Sequence, residues 1–258
     1  MKKRGLLITL EGTDASGKAN QLKRLIKRFE QEGLPFESES FPTYNSPSGK
    51  IVGGPVLGKP EICESYFAEP SKEDGRGISM YYCANRRFEL PWMNQVLESG
   101  KHLILDRYVD SNKACQGGKE KDSEKRLELY KAFDFLEYEF AQLPRPDITI
   151  FLHMPYQIGR ILKLQMNEGT DRVEQDIGYL RNQEMAYVEL AKMNSWHTIR
   201  CFPFDKVNET KDYDDVIKHI NSFEEIHKNI WNYLEFKIPS VQKHIQNLDE
   251  ERPWERKH

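Results

Sequence analysis

The segment Gly12-Thr13-Asp14-Ala15-Ser16-Gly17-Lys18 sets two glycines and a lysine in the spacing G-x-x-x-x-G-K. That spacing wraps backbone around phosphate. Successive N–H groups of such a loop converge on an anion, and the helix that follows adds the favourable end of its dipole. The glycines let the main chain approach the oxygens without a Cβ in the way. The ammonium of Lys18 then reaches the β- and γ-phosphates of a nucleotide, with ATP as the expected donor. The cradle would run through Gly12, Thr13, Asp14, Ala15, Ser16, Gly17, Lys18, Ala19 and Asn20. One position departs from the pattern. The residue after the lysine normally offers a hydroxyl to Mg²⁺, whereas Ala19 has no oxygen and Asn20 follows it. The metal is then held by other groups, or the site is weakened. No Asn-Lys-x-Asp guanine motif accompanies the loop, which disfavours a GTPase.

A phosphate loop needs a strand before it and a helix behind it, and both are expected. Residues 5–11 are a short apolar run bounded by glycine, read as a buried strand. Leu22, Leu25, Ile26 and Phe29 recur at three and four residues, a helix that Gly33 stops. Further strands are expected over 36–41, 102–105, 148–152 and 197–204. Helices are expected over 79–99, 121–142 and 156–194, the last broken at Asn167-Glu168-Gly169-Thr170, and a final amphipathic helix over 213–235. Residues 42–78, rich in Pro, Gly, Ser and charge, read as loop with short helix. Short apolar strands alternating with longer helices predict an α/β fold, a parallel five-stranded sheet flanked by helices. No domain boundary precedes residue 236, so one domain spans 1–235 and a polar tail spans 236–258.

Composition removes other classes. The 258 residues carry 38 Lys and Arg against 41 Asp and Glu, a net charge of −3 that gives no general attraction to nucleic acid. No apolar run approaches the roughly 20 residues that cross a bilayer, so no membrane partner is expected. Met1-Lys2-Lys3-Arg4 and the apolar residues after it are too short a run for a secretory signal. Cys63, Cys83, Cys115 and Cys201 form no C-x-x-C pair, so neither a zinc site nor a disulfide framework is indicated, which suits a reducing, cytoplasmic setting.

Several segments together resemble the thymidylate (dTMP) kinase family. Glu11 to Gln21 resembles its first motif, and Phe41-Pro42-Thr43-Tyr44 the segment after its second strand. Tyr82-Cys83-Ala84-Asn85-Arg86 resembles its F-A-x-D-R helix, and Asp106-Arg107-Tyr108-Val109-Asp110-Ser111-Asn112 its D-R-Y-x-x-S-N stretch. Pro146-Asp147 opens the fourth strand in the family's manner. Asp171-Arg172-Val173-Glu174 resembles the lid, and Tyr187-Val188-Glu189-Leu190-Ala191 the helix after it. The resemblance covers residues 5 to 230 or thereabouts. It implies a P-loop nucleoside monophosphate kinase with a helical lid near 163–176, which uses ATP and Mg²⁺ to convert dTMP to dTDP and commonly forms a homodimer.

Residue roles follow from the same resemblance. Lys18, Asp14, Arg107 and Arg172 would be catalytic. Arg107 would clamp the acceptor phosphate, a task its planar fork suits; the alternative is a surface salt bridge. Asp106 would hold Mg²⁺ through water, or merely cap the next helix. Asp14, near the sugar and acceptor phosphate, needs a cation beside it. Because Ala15 brings no arginine to the loop, the transferring phosphate would draw its cation from lid residue Arg172, with Arg160 and Lys163 as helpers. Tyr82 would stack on thymine while Arg86 and Asn112 read its edge; the alternatives are a core aromatic and a turn or cap residue. Tyr44 and Tyr187 would wall the nucleotide, or pack in the core. Cys115, where relatives often carry Tyr, would lie near the sugar 2′ position. Ala19, Asn85 and His153 depart from the family pattern. They keep open a catalytically weak nucleotide-binding homologue, and a kinase for dUMP, a modified dTMP or another pyrimidine monophosphate is the other alternative.

Overall fold

The computed structural model describes residues 3–67, 73–165 and 176–238. Its five strands are β1 (Leu7–Gly12), β2 (Phe36–Ser40), β3 (His102–Asp106), β4 (Ile148–His153) and β5 (His197–Arg200). They form one parallel sheet in the order β2-β3-β1-β4-β5. The central strand β1 is buried along its whole length, because helices cover both faces of a parallel sheet. Ile8 pairs with Ile104 of β3 on one side and with Ile148 of β4 on the other.

The helices are α1 (Lys18–Gln31), α2 (Pro47–Ile51), α3 (Gly75–Glu98), α4 (Val109–Gly117), α5 (Ser123–Asp134), α6 (Tyr156–Gln165), α7 (Ile177–Met193), α8 (Tyr213–His219) and α9 (Phe223–Lys237). Alternation along β1 sorts them into layers. Ile8 and Leu10 enter a core with Leu25 and Phe29 of α1 and Ile230, Trp231 and Leu234 of α9. Leu7 enters the opposite core, with Leu90, Met93 and Leu97 of α3 and Val109 of α4. A smaller cluster joins Phe151 of β4 to Tyr187 and Leu190 of α7 and Tyr130 of α5. Below the sheet, the Asp147 carboxylate accepts from the Leu7 N–H at 2.7 Å and from Arg4 at 2.8 Å, which pins the entry of β1 beside β4.

Several boundaries differ from the sequence expectation, each for a local reason. Helix α4 was not anticipated. It is polar by composition yet buried over most of its length, so no amphipathic stripe marks it. The expected helix over 121–142 is α5, which runs into a π-helical turn, Phe135–Phe140. The last helix is two. Ser222 and Glu225 form a reciprocal capping box that starts α9 afresh after α8. Strand β5 ends at Arg200, and Phe204–Lys206 is a 3-10 turn. Residues 42–78 hold α2, a π-helical turn over Val52–Val56 and the start of α3. Ile238, assigned to the tail, is buried in the α9 core. Arg172, most of the expected lid and the tail from 239 lie outside the described residues.

Candidate active site

The carboxyl ends of β1, β3 and β4 meet where the strand order reverses, the place where open α/β sheets take their ligands. The chain leaves β1 and turns through left-handed backbone at Ala15 (φ 53) and Gly17 (φ 80). Glycine at 12 is required by space: a Cβ there would lie 2.7 Å from the Leu152 carbonyl oxygen. The Thr13 hydroxyl donates to the Met154 carbonyl at 2.6 Å and accepts its N–H at 3.0 Å, clipping the loop to the end of β4. Lys18 donates to the loop's own carbonyls at Gly12 (2.9 Å) and Thr13 (3.0 Å). Burial, and then Arg107, push its ammonium down to about 8 against the pull of Asp14, Asp106 and Glu11. An anion in the loop would favour the charged form. At the other side of the loop, the half-exposed ring of Phe223 lies against Gly17.

Beyond the loop stands a cluster of charge. Arg107 follows β3 in left-handed backbone, φ 65, with its N–H bonded to the Leu10 carbonyl. Its Nη2 lies 3.5 Å from Asp14 Oδ1, and Lys163 Nζ from α6 lies 3.1 Å from Asp14 Oδ2. Burial works against the Asp14 charge, but Arg107, Lys163 and Lys18 outweigh it and hold the carboxyl below its usual range. The cation that Asp14 needs is therefore supplied from two elements. Asp106 Oδ1 is buried and has no hydrogen-bond partner. Beneath the cluster, Glu11 accepts from the Tyr108 N–H at 2.9 Å and from the Ser111 hydroxyl, fixing the start of α4. Burial and the Asp110 charge push the Glu11 carboxyl up to about 7.

A cavity of about 380 Å³ opens beside Asp14 and Arg107. Tyr44, Tyr82, Arg86, Asn112 and Cys115, all expected at the acceptor, line it. Asn85 holds one wall: its side chain bonds Thr43 N and Thr43 Oγ1 at 3.1 and 2.7 Å, which places neighbouring Tyr44. Lys59 Nζ sits 4.1 Å from the centre of the Tyr44 ring. Arg86 is fixed from behind, its Nε and Nη2 donating to buried Glu137. Two of its donors are thus engaged without a base. Of the two readings open for Tyr187, the core one describes its place: it is buried behind the wall, stacked on Phe151 at 5.4 Å, with its hydroxyl 3.1 Å from Ser111 Oγ. His153 also has a structural partner. Its Nε2 lies 2.7 Å from Glu184 Oε1, and Glu184 Oε2 accepts the Tyr156 N–H, so the end of β4 and the start of α6 are tied to α7.

The sequence reading missed Gln116, Tyr179 and Gln183 in the cavity wall. Gln116 had a signal, one helical turn beyond Asn112 on the same face. Tyr179 and Gln183 had none: they come from α7 and meet Cys115 by a Tyr179 hydroxyl bond to its carbonyl and a Gln183 Nε2 contact to its sulfur, both 3.1 Å. Among the described residues no group of three or more His, Cys, Asp or Glu could hold a metal alone, and no helix is long and apolar enough to cross a membrane.

Comparison with known proteins bears on this arrangement. The family model for thymidylate kinase matches residues 10–211. The chain is 26% identical to thymidylate kinase of Homo sapiens over 228 residues, covering 88% of this chain and 89% of the relative. It is 27% identical to thymidylate kinase of Danio rerio over 252 residues, covering 97% and 96%. In fold it is similar to the solved thymidylate kinase of Candida albicans, with a TM-score of 0.64 and 19% identity over 92% of this chain and 94% of that one. The phosphate loop, the charge cluster at the end of β3 and the matched span agree, and the chain belongs to the thymidylate kinase family.

Proposed function

We infer that this chain transfers the γ-phosphoryl group of ATP to dTMP, releasing ADP and dTDP. One observation carries the reading: Asp14 and Arg107 line the cavity and also act electrostatically on Lys18, so donor loop and acceptor cavity share a boundary. Phosphoryl transfer asks a protein mainly for alignment and neutralised charge. Lys18 and the loop N–H groups hold the donor phosphates, and Arg107 holds the acceptor phosphate at that boundary. Asp14, flanked by Arg107 and Lys163, takes the sugar side. Tyr82 stacks on the base and Asn112 reads its edge. Arg172 remains the lid cation of this reading; among the described residues Lys163 already stands at the site.

The donor set suits Mg²⁺. Asp106 offers a hard carboxylate oxygen with no other partner, and the nucleotide's own oxygens and water complete such a shell. When bound, the ion neutralises charge on the phosphates. Homodimer formation is part of the reading, supported by aromatics left exposed on α3 (Tyr81, Phe88) and on the π-helical turn beside it (Phe135, Phe140). A cytoplasmic setting is supported by four free thiols.

A coupled ADP-release assay across dTMP, dUMP, UMP, dCMP and dGMP tests the reaction. The highest kcat/KM is expected with dTMP. No ADP release with any of them, at any Mg²⁺ concentration, overturns the reading. Sedimentation at micromolar protein tests the dimer.

A further inference from the structure

Helix α6 is seated on the phosphate loop. Gly159 packs so closely there that a Cβ would lie 2.8 Å from the Asp14 carbonyl oxygen. One turn on, along the same face, Lys163 sets its Nζ 3.1 Å from Asp14 Oδ2. A tilt of α6 would therefore move a cation across the charge cluster. What fixes the tilt lies at the other end of the helix. Tyr156 opens α6, and the first N–H groups of a helix have no partner within it. Glu184 supplies one. Its Oε2 accepts the Tyr156 N–H at 2.9 Å, and a carboxylate there also suits the helix dipole. Its Oε1 lies 2.7 Å from His153 Nε2.

Both anchors of this carboxylate are themselves fixed. The His153 ring lies against Phe151, stacked at 5.1 Å, and against Phe204 at 4.7 Å. Helix α7, which carries Glu184, is seated on the end of α4: a Cβ on Gly118 would lie 2.8 Å from Gln183 Cα. The Tyr179 hydroxyl of α7 also donates to the Cys115 carbonyl of α4. The mobile partner of the joint is thus α6. We propose that Glu184 is a positioning residue for phosphoryl transfer, joining α6 to α7 and to the end of β4 so that Lys163 stays over Asp14. The inference rests on the reading of the chain as a dTMP kinase. It gives His153, a departure from the family pattern, a task in that reaction: it holds the second oxygen of Glu184.

Steady-state kinetics of Lys163→Met, Glu184→Ala and the double variant test it. The wild type is assayed first, and no ADP release with dTMP removes the underlying reading and the proposal with it. With an active wild type, Lys163→Met is expected to lower kcat by about 10- to 100-fold, and Glu184→Ala by about 10-fold, because a small displacement of a positioned cation is costly. Both KM values are expected to stay near wild type. The double variant is expected to be no slower than Lys163→Met alone, since misplacing an absent ammonium costs nothing. Glu184→Gln, which keeps an acceptor for the Tyr156 N–H, is expected to recover most of the turnover. A double variant that multiplies the two losses overturns the proposal. So does either single variant with the wild-type kcat. So does a Glu184→Ala loss confined to the KM for dTMP, which would place the effect in the cavity wall through neighbouring Gln183. If Glu184→Ala melts too early to assay, His153→Phe replaces it: a ring remains against Phe151 and Phe204, and only the nitrogen facing Glu184 is lost. Its loss of kcat is expected to vanish in the Lys163→Met background, and a loss that persists there overturns the proposal.

Discussion

The phosphate loop and the acceptor cavity share a boundary, yet they are built in opposite ways. The loop is seven consecutive residues whose shape is a matter of backbone: left-handed turns at Ala15 and Gly17, and a lysine bonded to the loop's own carbonyls. The cavity is made of side chains drawn from positions as far apart as Asp14 and Gln183. Each is steadied from elsewhere, Arg86 by Glu137, Tyr44 through Thr43 and Asn85, and Cys115 by Gln183 and Tyr179. On the proposed function the loop would recognise what all nucleotides share, and the cavity what distinguishes one. A change in the loop should act on any donor, and a change in the cavity on one acceptor.

Arg107 belongs to both regions and gives the largest expected effect. Arg107→Ala should lower kcat/KM for dTMP by about 10³-fold, because a positioned cation acts on charge that grows in the transition state. Steady-state kinetics with ATP and dTMP varied in turn would show it. A loss confined to the ATP KM would move the residue wholly to the donor side.

Glu137 is the cavity's deepest support, 0% exposed and paired with Arg86. Glu137→Leu should destabilise the fold by roughly 3–5 kcal/mol, since it strands a buried guanidinium. In protein that still folds, KM for dTMP should rise while nucleotide affinity at the loop is kept. Denaturant melts and binding titrations separate the two, and an equal rise for ATP breaks the distinction between the regions.

Glu11 lies beneath both. Its carboxyl is held up to about 7 by burial, then by Asp110, so the folded protein keeps its proton more tightly than the unfolded chain. That stabilisation is complete below the ordinary carboxylate value of 4.5 and is lost as pH rises through 7. Its size is on the order of 3 kcal/mol. Glu11→Gln should remove this fall from the curve of unfolding free energy against pH. An unchanged difference between variant and wild type from pH 4.5 to 8 would contradict it.

The smallest effect is expected at Ala19. It is exposed at the start of α1, and on the proposed function Asp106 and the nucleotide would still hold the ion. Ala19→Ser should tighten apparent Mg·ATP affinity by a few-fold, with about the energy of one added ligand or hydrogen bond, and leave the dTMP KM alone. Activity titrated against free Mg²⁺ measures it.

This contrast also explains what could be read in the sequence. The loop, its strand and its helix were legible because their determinants are consecutive: an apolar run, two glycines and a lysine, then Leu22, Leu25, Ile26 and Phe29. The alternation of strands and helices carried the sheet for the same reason. Helix α4 was illegible because periodicity reports a boundary between core and water, and α4 has core or cavity around most of its surface. The break before α9 did leave a mark, Ser222-Phe223-Glu224-Glu225, a capping box that the apolar period on either side overrode. Arg86 and Glu137 are 51 positions apart, and Cys115 and Gln183 are 68 apart. No local pattern connects such pairs, so the steadying half of the cavity had to await the fold.

The left-handed backbone at Arg107 sets two selective pressures against each other. At φ 65 a side chain with a Cβ costs roughly 1–2 kcal/mol, whereas Gly occupies that region freely and Asn at reduced cost. Neither can carry a cation to the edge of the cavity. A library selected for heat resistance alone should therefore drift toward Gly or Asn at this position and lose phosphoryl transfer as it does so. A library selected for turnover should return arginine and accept the lower melting point. Among the described residues, position 107 is thus one where thermal robustness and catalysis can be told apart by which amino acid a population keeps.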